Sequence, residues 1–382
     1  MSVPVYQRIK DVLTEEIRQG KYKPGDILPS VNELAKMFST SRNTSVKAIN
    51  DLSHEGIIYC VQGKGSVVND LRKNNKKLAY KKVKASSNSS FPVIGVLLAD
   101  FDDMTHPYLS MILRGISGKA KTMPCNLKTF CIKNYSIDDF IRTEHFDGLI
   151  VLTGLPQTSV FLLKQNGIPF VLANNDIYGE ELFSVTVDSF SATYKAVEYL
   201  HSLGHSKISV LSGPYFARST PLAYSAYKHA MNHFKLNIDD NFFRSCNYGE
   251  EGGYAVFSEM LNSGKVPTAV FALEDFIAVG AMKAAAEKSL AIPRDLSVIG
   301  SGNMLNGSNV KVPLTTFNTK LDELGGLCLD MIVRQIKNEP IKNSKISLEP
   351  ELIVRDSCKA LRGSAKVREC ESAKVLKRVK GN

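Results

Sequence analysis

The first 69 residues carry apolar side chains at helical spacing, with clear start and stop signals between the helices that they predict. A first helix is predicted over 4–19, and Gly20 ends it. A second helix begins after Ser30, because Glu33 three positions later completes a capping box. The apolar faces of these two helices are Tyr6, Ile9, Val12, Leu13 and Ile17, and then Leu34, Ala35 and Phe38.

A third helix and a short hairpin complete this pattern. The helix is predicted over 42–55, with Thr40 or Ser41 as its cap and an apolar stripe of Val46, Ile49 and Leu52. Strands over 57–61 and 66–68 then flank a turn whose two glycines permit a tight reversal of the chain. Three helices followed by a hairpin are the elements of a winged helix-turn-helix.

From about residue 92 the pattern changes to short, continuously apolar runs that alternate with amphipathic stretches. Buried parallel strands are apolar on both faces, so this alternation predicts an α/β fold of doubly wound parallel sheets. The predicted strands are Val93–Leu98, Gly148–Leu152, Phe170–Ala173, Lys207–Leu211, Ala269–Ala272 and Leu296–Ile299. The predicted helices are Pro107–Lys121, Phe190–Leu203, Ala223–Phe234, Gly252–Asn262 and Phe276–Lys288.

Charge is distributed unevenly along the chain, whose net charge is +10. Residues 1–85 hold 16 Lys and Arg against 8 Asp and Glu, and residues 359–382 hold 8 against 2. Residues 86–358 hold 24 against 28. Basic ends around a mildly acidic middle indicate a polyanionic partner for the ends. For the C-terminal run we expect the simpler case of a solvated tail.

Composition therefore predicts four regions. Residues 1–69 form a domain of helices and a hairpin, and residues 92–358 form a larger α/β domain. Between them, 70–91 is rich in lysine and then in serine, with too few apolar side chains to offset the entropy of ordering, and reads as a flexible linker. Residues 359–382 are the basic tail.

Several function classes are disfavoured by what the sequence lacks. No stretch approaches the roughly 18 apolar residues of a membrane span, and no apolar signal region opens the chain. The seven cysteines are scattered without a C-x-x-C pair, so we expect reduced, mostly buried thiols and a cytoplasmic protein with no membrane partner. There is no Gly-x-Gly-x-x-Gly after the first strand, phosphate loop, Gly-x-Ser-x-Gly or metal-ligand spacing, so we expect no enzyme, cofactor or metal.

Donor-rich side chains mark the start of the third helix, on the side away from its apolar stripe. A reading helix presents such N-terminal side chains to base edges in the major groove of DNA. Arginine and lysine can address guanine edges or phosphates, asparagine can address adenine, and serine and threonine can hold phosphates. The alternative is a three-helix domain with ordinary surface polar residues. The side chains are Arg42, Asn43, Thr44 and Lys47.

The motifs of this segment resemble the GntR-family winged helix. The resemblance covers about 65 residues and implies that the residues matching Arg42, Thr44 and the wing contact DNA. Two departures, Asn32 and Val46, stand where that family often has basic residues. The matching strings are 25–30, 33–35, 41–44, 52–58 and 63–65. The predicted DNA-binding residues are Ser30, Ser41, Arg42, Asn43, Thr44, Lys47, Gly63, Lys64 and Gly65.

The middle region resembles the LacI-type effector domain, which is itself similar to the periplasmic binding proteins. The strings include Phe146-Asp147-Gly148-Leu149-Ile150, Tyr199 to His205, and Ile292 to Gly300, and the resemblance covers nearly all of 92–358. It implies two Rossmann-like lobes with a ligand cleft between them. A GntR-type winged helix joined to this sensor resembles the arabinose-responsive chimeric repressors.

Polar side chains that follow the predicted strands are candidates for ligand binding, since ligands of open α/β sheets bind outside the carboxyl ends of strands. The set departs from the resembled family: an acid-then-Arg pair is usual at Asn174-Asn175, Asn at Glu274, and acids at 302–303. Asp275 fits a helix cap as well as a ligand group, and His205 fits a turn residue. The candidates are Asp100, His106, Tyr108, Asn174, Asn175, Arg218, Glu274, Asp275 and Asn303.

The sequence thus predicts a ligand-responsive transcription regulator, which the resemblance makes a repressor of carbohydrate-related genes. Its expected partners are double-stranded operator DNA, a small-molecule effector such as a sugar or sugar derivative, and a second copy in a homodimer, because two half-sites match two-fold symmetry. The segment 107–121 is a candidate for part of that interface. The alternative is a regulator whose altered pocket responds to a protein partner or to no ligand.

Overall fold

A computed structural model describes most of the chain, and it forms two compact units. Unit one draws on 1–104, 118–184 and 328–344, and unit two on 105–117, 185–327 and 345–382. The described ranges are 5–18, 20–38, 40–54, 57–61, 65–68, 91–99, 106–133, 136–152, 154–177, 180–215, 217–305 and 311–361. Predictions for Gly63, Lys64, Asp100, the linker up to residue 90 and the tail from residue 362 lie outside these ranges.

The N-terminal part of unit one has the predicted winged-helix elements. Strands β1 and β2 pair antiparallel, and Ile27 forms an additional bridge with Val67. The apolar faces of the helices meet in one core around Leu13, Leu34 and Leu52. Val12, predicted on that face, is instead 37% exposed, since the buried row follows the four-residue spacing of Ile9 and Leu13. The elements are α1 Val5–Arg18, α2 Val31–Met37, α3 Arg42–His54, β1 Ile58–Val61 and β2 Gly65–Val68.

The rest of the chain builds two six-stranded sheets. The first has the order β13-β7-β6-β5-β3-β4, with parallel pairing of β4, β3, β5 and β6. Its strands are β3 Val93–Leu98, β4 Asn126–Cys131, β5 Gly148–Val151, β6 Phe170–Ala173, β7 Ser184–Val187 and β13 Lys345–Leu348. The helices of this part are α4 Pro107–Ala120, α5 Ile137–Thr143, α6 Gln157–Gln165 and α11 Leu321–Lys337.

The second sheet, in unit two, has the order β14-β12-β11-β10-β8-β9. All neighbours are parallel except the edge strand β14, which runs antiparallel to β12. Its strands are β8 Ile208–Ser212, β9 Phe243–Ser245, β10 Ala269–Ala272, β11 Ser297–Ser301, β12 Thr315–Asn318 and β14 Glu351–Ile353. Its helices are α7 Ser189–Ser202, α8 Ser219–His233, α9 Glu250–Asn262 and α10 Asp275–Glu287.

The predicted α/β class is confirmed, and the structure has every strand and helix predicted after residue 92, with ends shifted by a few residues. The strands without a prediction are mostly edge strands with exposed positions, such as β4, in which the first three residues are exposed. An edge strand lacks a neighbour on one side and need not be continuously apolar. The rule that found the buried strands therefore missed it.

Cysteine and membrane predictions can be compared with the described residues. Five cysteines there are free thiols, of which Cys328 is buried and Cys125, Cys131, Cys246 and Cys358 are half-buried. Burial is thus less complete than predicted. Among the described residues, no helix is long and apolar enough to cross a membrane.

Unit two extends beyond the predicted boundary at residue 358. The backbone N–H of Lys359 donates to Ser297 Oγ at 3.1 Å, and its carbonyl lies 3.1 Å from Nε2 of His205. The N–H of Leu361 donates to the carbonyl of Leu203 at 3.0 Å. Residues 359–361, predicted as tail, are therefore part of the fold, and His205 in its turn is a buried anchor for them.

Helices α4 and α11 approach each other so closely that glycine is required at the contact. A Cβ built on Gly115 would lie 1.9 Å from the carbonyl oxygen of Asp322, whereas one on Gly118, in the same helix, would meet nothing within 4 Å. We expect Gly115→Ala to lower the free energy of unfolding by about 1–3 kcal/mol through overpacking. Gly118→Ala should raise it by about 0.5–1 kcal/mol through helix propensity. Urea unfolding of both variants measures the difference, and equal effects would contradict the close approach.

The buried His205 ring makes the stability of the fold depend on pH. Burial lowers the pKa of His205 from its ordinary value of 6.5, against a smaller raising effect of the hydrogen bond to Lys359. The unfolded chain therefore binds a proton at His205 more readily than the folded chain. The contribution of the neutral ring to the free energy of unfolding is thus complete above pH 6.5 and is lost as the pH falls below that value. His205→Gln should remove part of the acid-side decline in unfolding free energy, measured by urea titrations between pH 8 and 5. The same substitution at the exposed His145 should leave the decline intact.

Candidate DNA interface and ligand site

The N-terminus of α3 is fixed by a side-chain cap. Of the two predicted caps, the structure places Ser41 there: its Oγ accepts from the backbone N–H of Thr44 at 3.2 Å and lies 2.8 Å from the Thr44 hydroxyl. The cap satisfies one of the free N–H groups of the first turn. Ser41 and Thr44 thus share a local bond that sets the start of the helix.

Arg42 is the first residue of α3, and its side chain is exposed. An exposed guanidinium at the start of this helix can reach base edges or phosphates, and exposed backbone N–H groups beside it favour anions. Asn43 follows it within the helix, although its side chain lies outside what the structure describes. Arg42 therefore stays a predicted reading residue, and its exposed position is compatible with a DNA contact.

Lys47 has a different environment from the one that the sequence predicted. Its ammonium lies 3.6 Å from the ring centroid of Tyr6 on α1, which is a cation–π contact. Burial lowers the pKa of Lys47, and the charge of Asp51 partly opposes this. The contact joins α3 to α1 and competes with any DNA contact of this side chain.

The predicted capping box at the start of α2 is confirmed. The backbone N–H of Glu33 donates to Ser30 Oγ at 3.3 Å, and that of Ser30 donates to Glu33 Oε2 at 2.7 Å. These bonds lower the pKa of the Glu33 carboxyl. Ser30 is exposed beside this helix start, and Gly65, at the end of the wing turn, has a φ of 101° that favours glycine.

In unit two, polar residues converge where β8 lies between β9 and β10. Strand β8 leads to β9 on one side and borders β10 on the other, so the direction of winding changes here, and such a switch point leaves a crevice at the carboxyl ends of the strands. Ser212 is in register with Ser245, and Leu211 with Ala272. The residues that follow these strands therefore lie side by side, and they include Gly213, Cys246 and Glu274.

Glu274 is the centre of this cluster. Its side chain is buried, with only 7% exposed. One carboxylate oxygen accepts from the backbone N–H of Gly249 at 2.8 Å, and the other lies 3.1 Å from Nε2 of His106. The His106 ring also lies edge-on to Phe276, with centroids 5.9 Å apart. Two predicted ligand residues from distant parts of the chain thus meet directly.

The neighbouring Asp275 has a structural role that the sequence could not separate from ligand binding. It is fully buried and accepts from the Thr316 hydroxyl at 2.5 Å and from the backbone N–H of Met304 at 2.7 Å. Burial raises the pKa of the Asp275 carboxyl, while these hydrogen bonds and Arg355 oppose the effect. The N-cap position of α10 is held by Glu274, so Asp275 is an anchor between strands and not the predicted cap.

Asn303 lies beyond β11 with a φ of 53°, in the left-handed region that asparagine tolerates. Its Oδ1 accepts from Nη2 of Arg355 at 2.7 Å, and Nη1 of the same arginine donates to the carbonyl of Leu314 at 2.7 Å. Arginine has no acceptor, so the amide oxygen must face it and the amide N–H₂ must face the other way. Asn303 therefore presents donors where an acid would present acceptors.

Other predicted ligand residues lie at strand ends of their own units. In unit one, Asn174 follows β6 with a φ of 50°, and Asn175 uses its side-chain oxygen to accept from the N–H of Asp176 at 2.8 Å. In unit two, Arg218 is half-buried at the start of α8. Tyr108 is in the first turn of α4, and its backbone N–H donates to Nδ1 of His106 at 3.3 Å.

Sequence reasoning missed the aromatic and thiol groups around Glu274. Tyr248 is 48% exposed, and its ring fills the space over Gly213, where a Cβ would lie 2.6 Å from ring atoms. Burial raises the pKa of Tyr248 against the opposing effect of a hydrogen bond to Ser219, and the Glu274 charge adds to the rise. Burial likewise raises the pKa of Cys246 to about 12, with Glu274 contributing. The only signal in the sequence was their position just after β9, a strand that no apolar run predicted.

Metal binding finds no support in this arrangement. Within the described ranges, no three His, Cys, Asp or Glu side chains are grouped so that they could hold a metal ion. The described contacts of the cluster are a hydrogen bond to the Gly249 N–H, the pair of Glu274 with His106, and the ring contact of His106 with Phe276.

Comparison with known proteins agrees with both halves of the chain. Residues 5–68 match the model for bacterial regulatory proteins of the gntR family, and residues 197–358 match that for a periplasmic binding protein-like domain. The chain is 32% identical over 232 residues to the HTH-type transcriptional repressor PurR of Histophilus somni strain 2336, covering 60% of this chain and 69% of that protein. It is 28% identical over 281 residues to the repressor CytR of Escherichia coli K12, covering 69% and 80%.

Among solved structures, a LacI family transcriptional regulator from Enterococcus faecium with bound ribose is similar, with a TM-score of 0.61 and 26% identity. The match covers 71% of this chain and all of that one. These relatives are transcription regulators and not enzymes. The chain belongs to the LacI-type family of transcriptional repressors through its sensor region, carries a GntR-type winged helix in front of it, and is a DNA-binding transcription regulator.

Proposed function

We propose that this regulator is a repressor that binds operator DNA as a homodimer. A small molecule that binds its sensor region weakens or strengthens its affinity for the operator. The observation that carries the proposal is the combination, in one chain, of an exposed arginine on a capped reading helix with a buried polar cluster at a switch point. Similarity to PurR, CytR and the ribose-bound regulator supports it.

On the DNA side, Arg42 reads the operator, and Ser41 and Thr44 set the start of its helix. Ser30, Asn43, Lys47 and the wing residues Gly63, Lys64 and Gly65 are the further contacts that we propose. Lys47 contributes least among them, because its ammonium is already placed over Tyr6. Two copies present two reading helices, which matches a two-fold symmetric operator.

On the ligand side, the effector binds against the strand ends of the sensor region. His106, Arg218, Glu274 and Asn303 supply hydrogen bonds and charge, and Tyr248 supplies an apolar face. Asp275 stabilises the wall behind them. A ligand alters DNA affinity only if it binds the two conformations of the regulator with different affinity. The effector is proposed to be a small carbohydrate-like molecule.

Arg42→Ala tests the DNA half of the proposal. An operator is first selected from genomic fragments with the full chain. The substitution should then weaken binding to that operator by about 1–3 kcal/mol, since a bidentate base contact is lost. Fluorescence anisotropy at fixed salt measures the change. Arg8→Ala, an equal loss of charge at an exposed position on α1, is the control. An equal loss in both variants would show that Arg42 contributes only general charge.

Effector binding is tested by thermal shift of the full chain against sugars, sugar derivatives and nucleosides. We expect at least one compound to raise the midpoint of unfolding, because it binds only the folded chain. The same compound should change operator affinity at least about five-fold, which is the lower end of typical coupling between sites. Operator binding that no compound alters would favour a regulator that responds to a protein partner or to nothing.

A further inference from the structure

The carboxylate of Glu274 is a buried negative charge whose partners are hydrogen-bond donors. The question is whether these donors carry a charge, and the hydrogen bonds of the His106 ring answer it. Its Nδ1 accepts from the backbone N–H of Tyr108, so the ring proton is on Nε2 and is donated to Glu274. A second proton on Nδ1 would face the N–H of Tyr108, donor against donor. His106 therefore binds Glu274 as a neutral imidazole, and the second donor, the Gly249 N–H, is also neutral.

Among the described residues, no lysine or arginine forms an ion pair with the carboxylate of Glu274. Arg355 is held by Asn303 and by the carbonyl of Leu314, and its charge opposes that of Asp275. A buried carboxylate without an opposite charge is costly, and a ligand that brings a positive charge offsets that cost.

Two aromatic rings lie beside residues of the same cluster. Phe276 lies against His106, and the half-exposed ring of Tyr248 covers Gly213 beside the end of β8. Ring faces attract a cation such as an ammonium group, and they also pack against the apolar face of a sugar ring. A carboxylate and aromatic rings at one strand edge together form a site for a protonated amine on a small ring.

We propose that the effector carries a protonated amine that pairs with Glu274, and that it is an amino sugar and not a neutral sugar. This inference rests on the proposed ligand-responsive function and specifies the chemistry of its effector. Glu274 is the residue that determines the specificity, and Tyr248 and Phe276 support the amine and the ring that bears it. The donors of Asn303 face acceptor oxygens of the ligand.

The test is isothermal titration calorimetry of the full chain with two matched series of three sugars. The first series is D-glucosamine, D-glucose and N-acetyl-D-glucosamine, and the second is D-galactosamine, D-galactose and N-acetyl-D-galactosamine. The measurements are made at a pH at which the free amines are protonated. In at least one series the amine should bind more than about ten-fold tighter than both neutral members. Its affinity should fall as salt is added, because the pair is electrostatic.

Glu274→Gln keeps the size of the side chain and removes its charge, so it should abolish the preference for the amine. Glu251→Gln, the same change at an exposed position in the first turn of α9, should leave the preference intact. Tyr248→Leu, which leaves the Glu274 hydrogen bonds in place, should weaken binding of the amine several-fold. It is a second probe if Glu274→Gln does not fold.

Two results would overturn the inference. Equal or tighter binding of a neutral or N-acetylated sugar would show that Glu274 does not select a cation, while ligand-responsive function would stand. No binding of either amine would also reject the amino-sugar inference. In that case, altered operator affinity with another compound in the thermal-shift panel would still support the proposed function.

Discussion

The parallel pairing of β8 with both β9 and β10 is the constraint on which the candidate ligand site depends. Hydrogen-bonded register places Ser212 beside Ser245 and Leu211 beside Ala272. The chain must therefore leave all three strands at one edge of the sheet, about 5 Å apart from strand to strand. Ser245 Oγ donates to the carbonyl of Gly213 at 2.8 Å and so joins the ends of β9 and β8. Gly213, Cys246 and Glu274 are distant along the chain and become neighbours because of backbone pairing.

Two adjacent carboxylates at this edge have opposite roles, and helix α10 explains why. Asp275, the first residue of the helix, points into the sheet and binds Thr316 and the backbone of Met304. A Cβ on Gly300 in β11 would lie 2.3 Å from Oδ1 of Asp275. Glycine at this position therefore leaves the space that the carboxylate occupies. Glu274 precedes the helix in extended conformation and faces Gly249 and His106 instead. Asp275 therefore fixes the helix, and the fixed helix holds Glu274 in place.

The sequence predicted those features that are periodic or local. Phe170–Ala173 and Ala269–Ala272 are apolar at every position, and the sequence predicts both of their ends correctly. The buried strand β12, Thr315–Asn318, contains two threonines and is not predicted by an apolar run. The capping box of Ser30 and Glu33 is set by three-residue spacing and was equally predictable. Edge strands such as β4 and β9 are half-exposed or very short, so their patterns do not differ from those of loops. Because the sequence does not predict β9, it also does not predict that Tyr248 and Cys246 belong to the cluster. Their place there depends on where that strand ends.

Side-chain direction is the second feature that pattern alone does not fix. The polarity of Lys47 predicts that it faces DNA, yet its long apolar stem allows the ammonium to reach back over Tyr6.

Asn303 stands where the resembled family has an acid, and the effect of this replacement on hydrogen bonding depends on Arg355. That guanidinium can only donate, so it selects the oxygen of Asn303 and turns the amide N–H₂ outward. An aspartate would present an oxygen in both directions. At position 303 an amide in place of an acid therefore presents a donor instead of an acceptor, while Glu274 introduces a carboxylate at the end of β10. The polar groups of the cluster are thus changed in kind at these two positions.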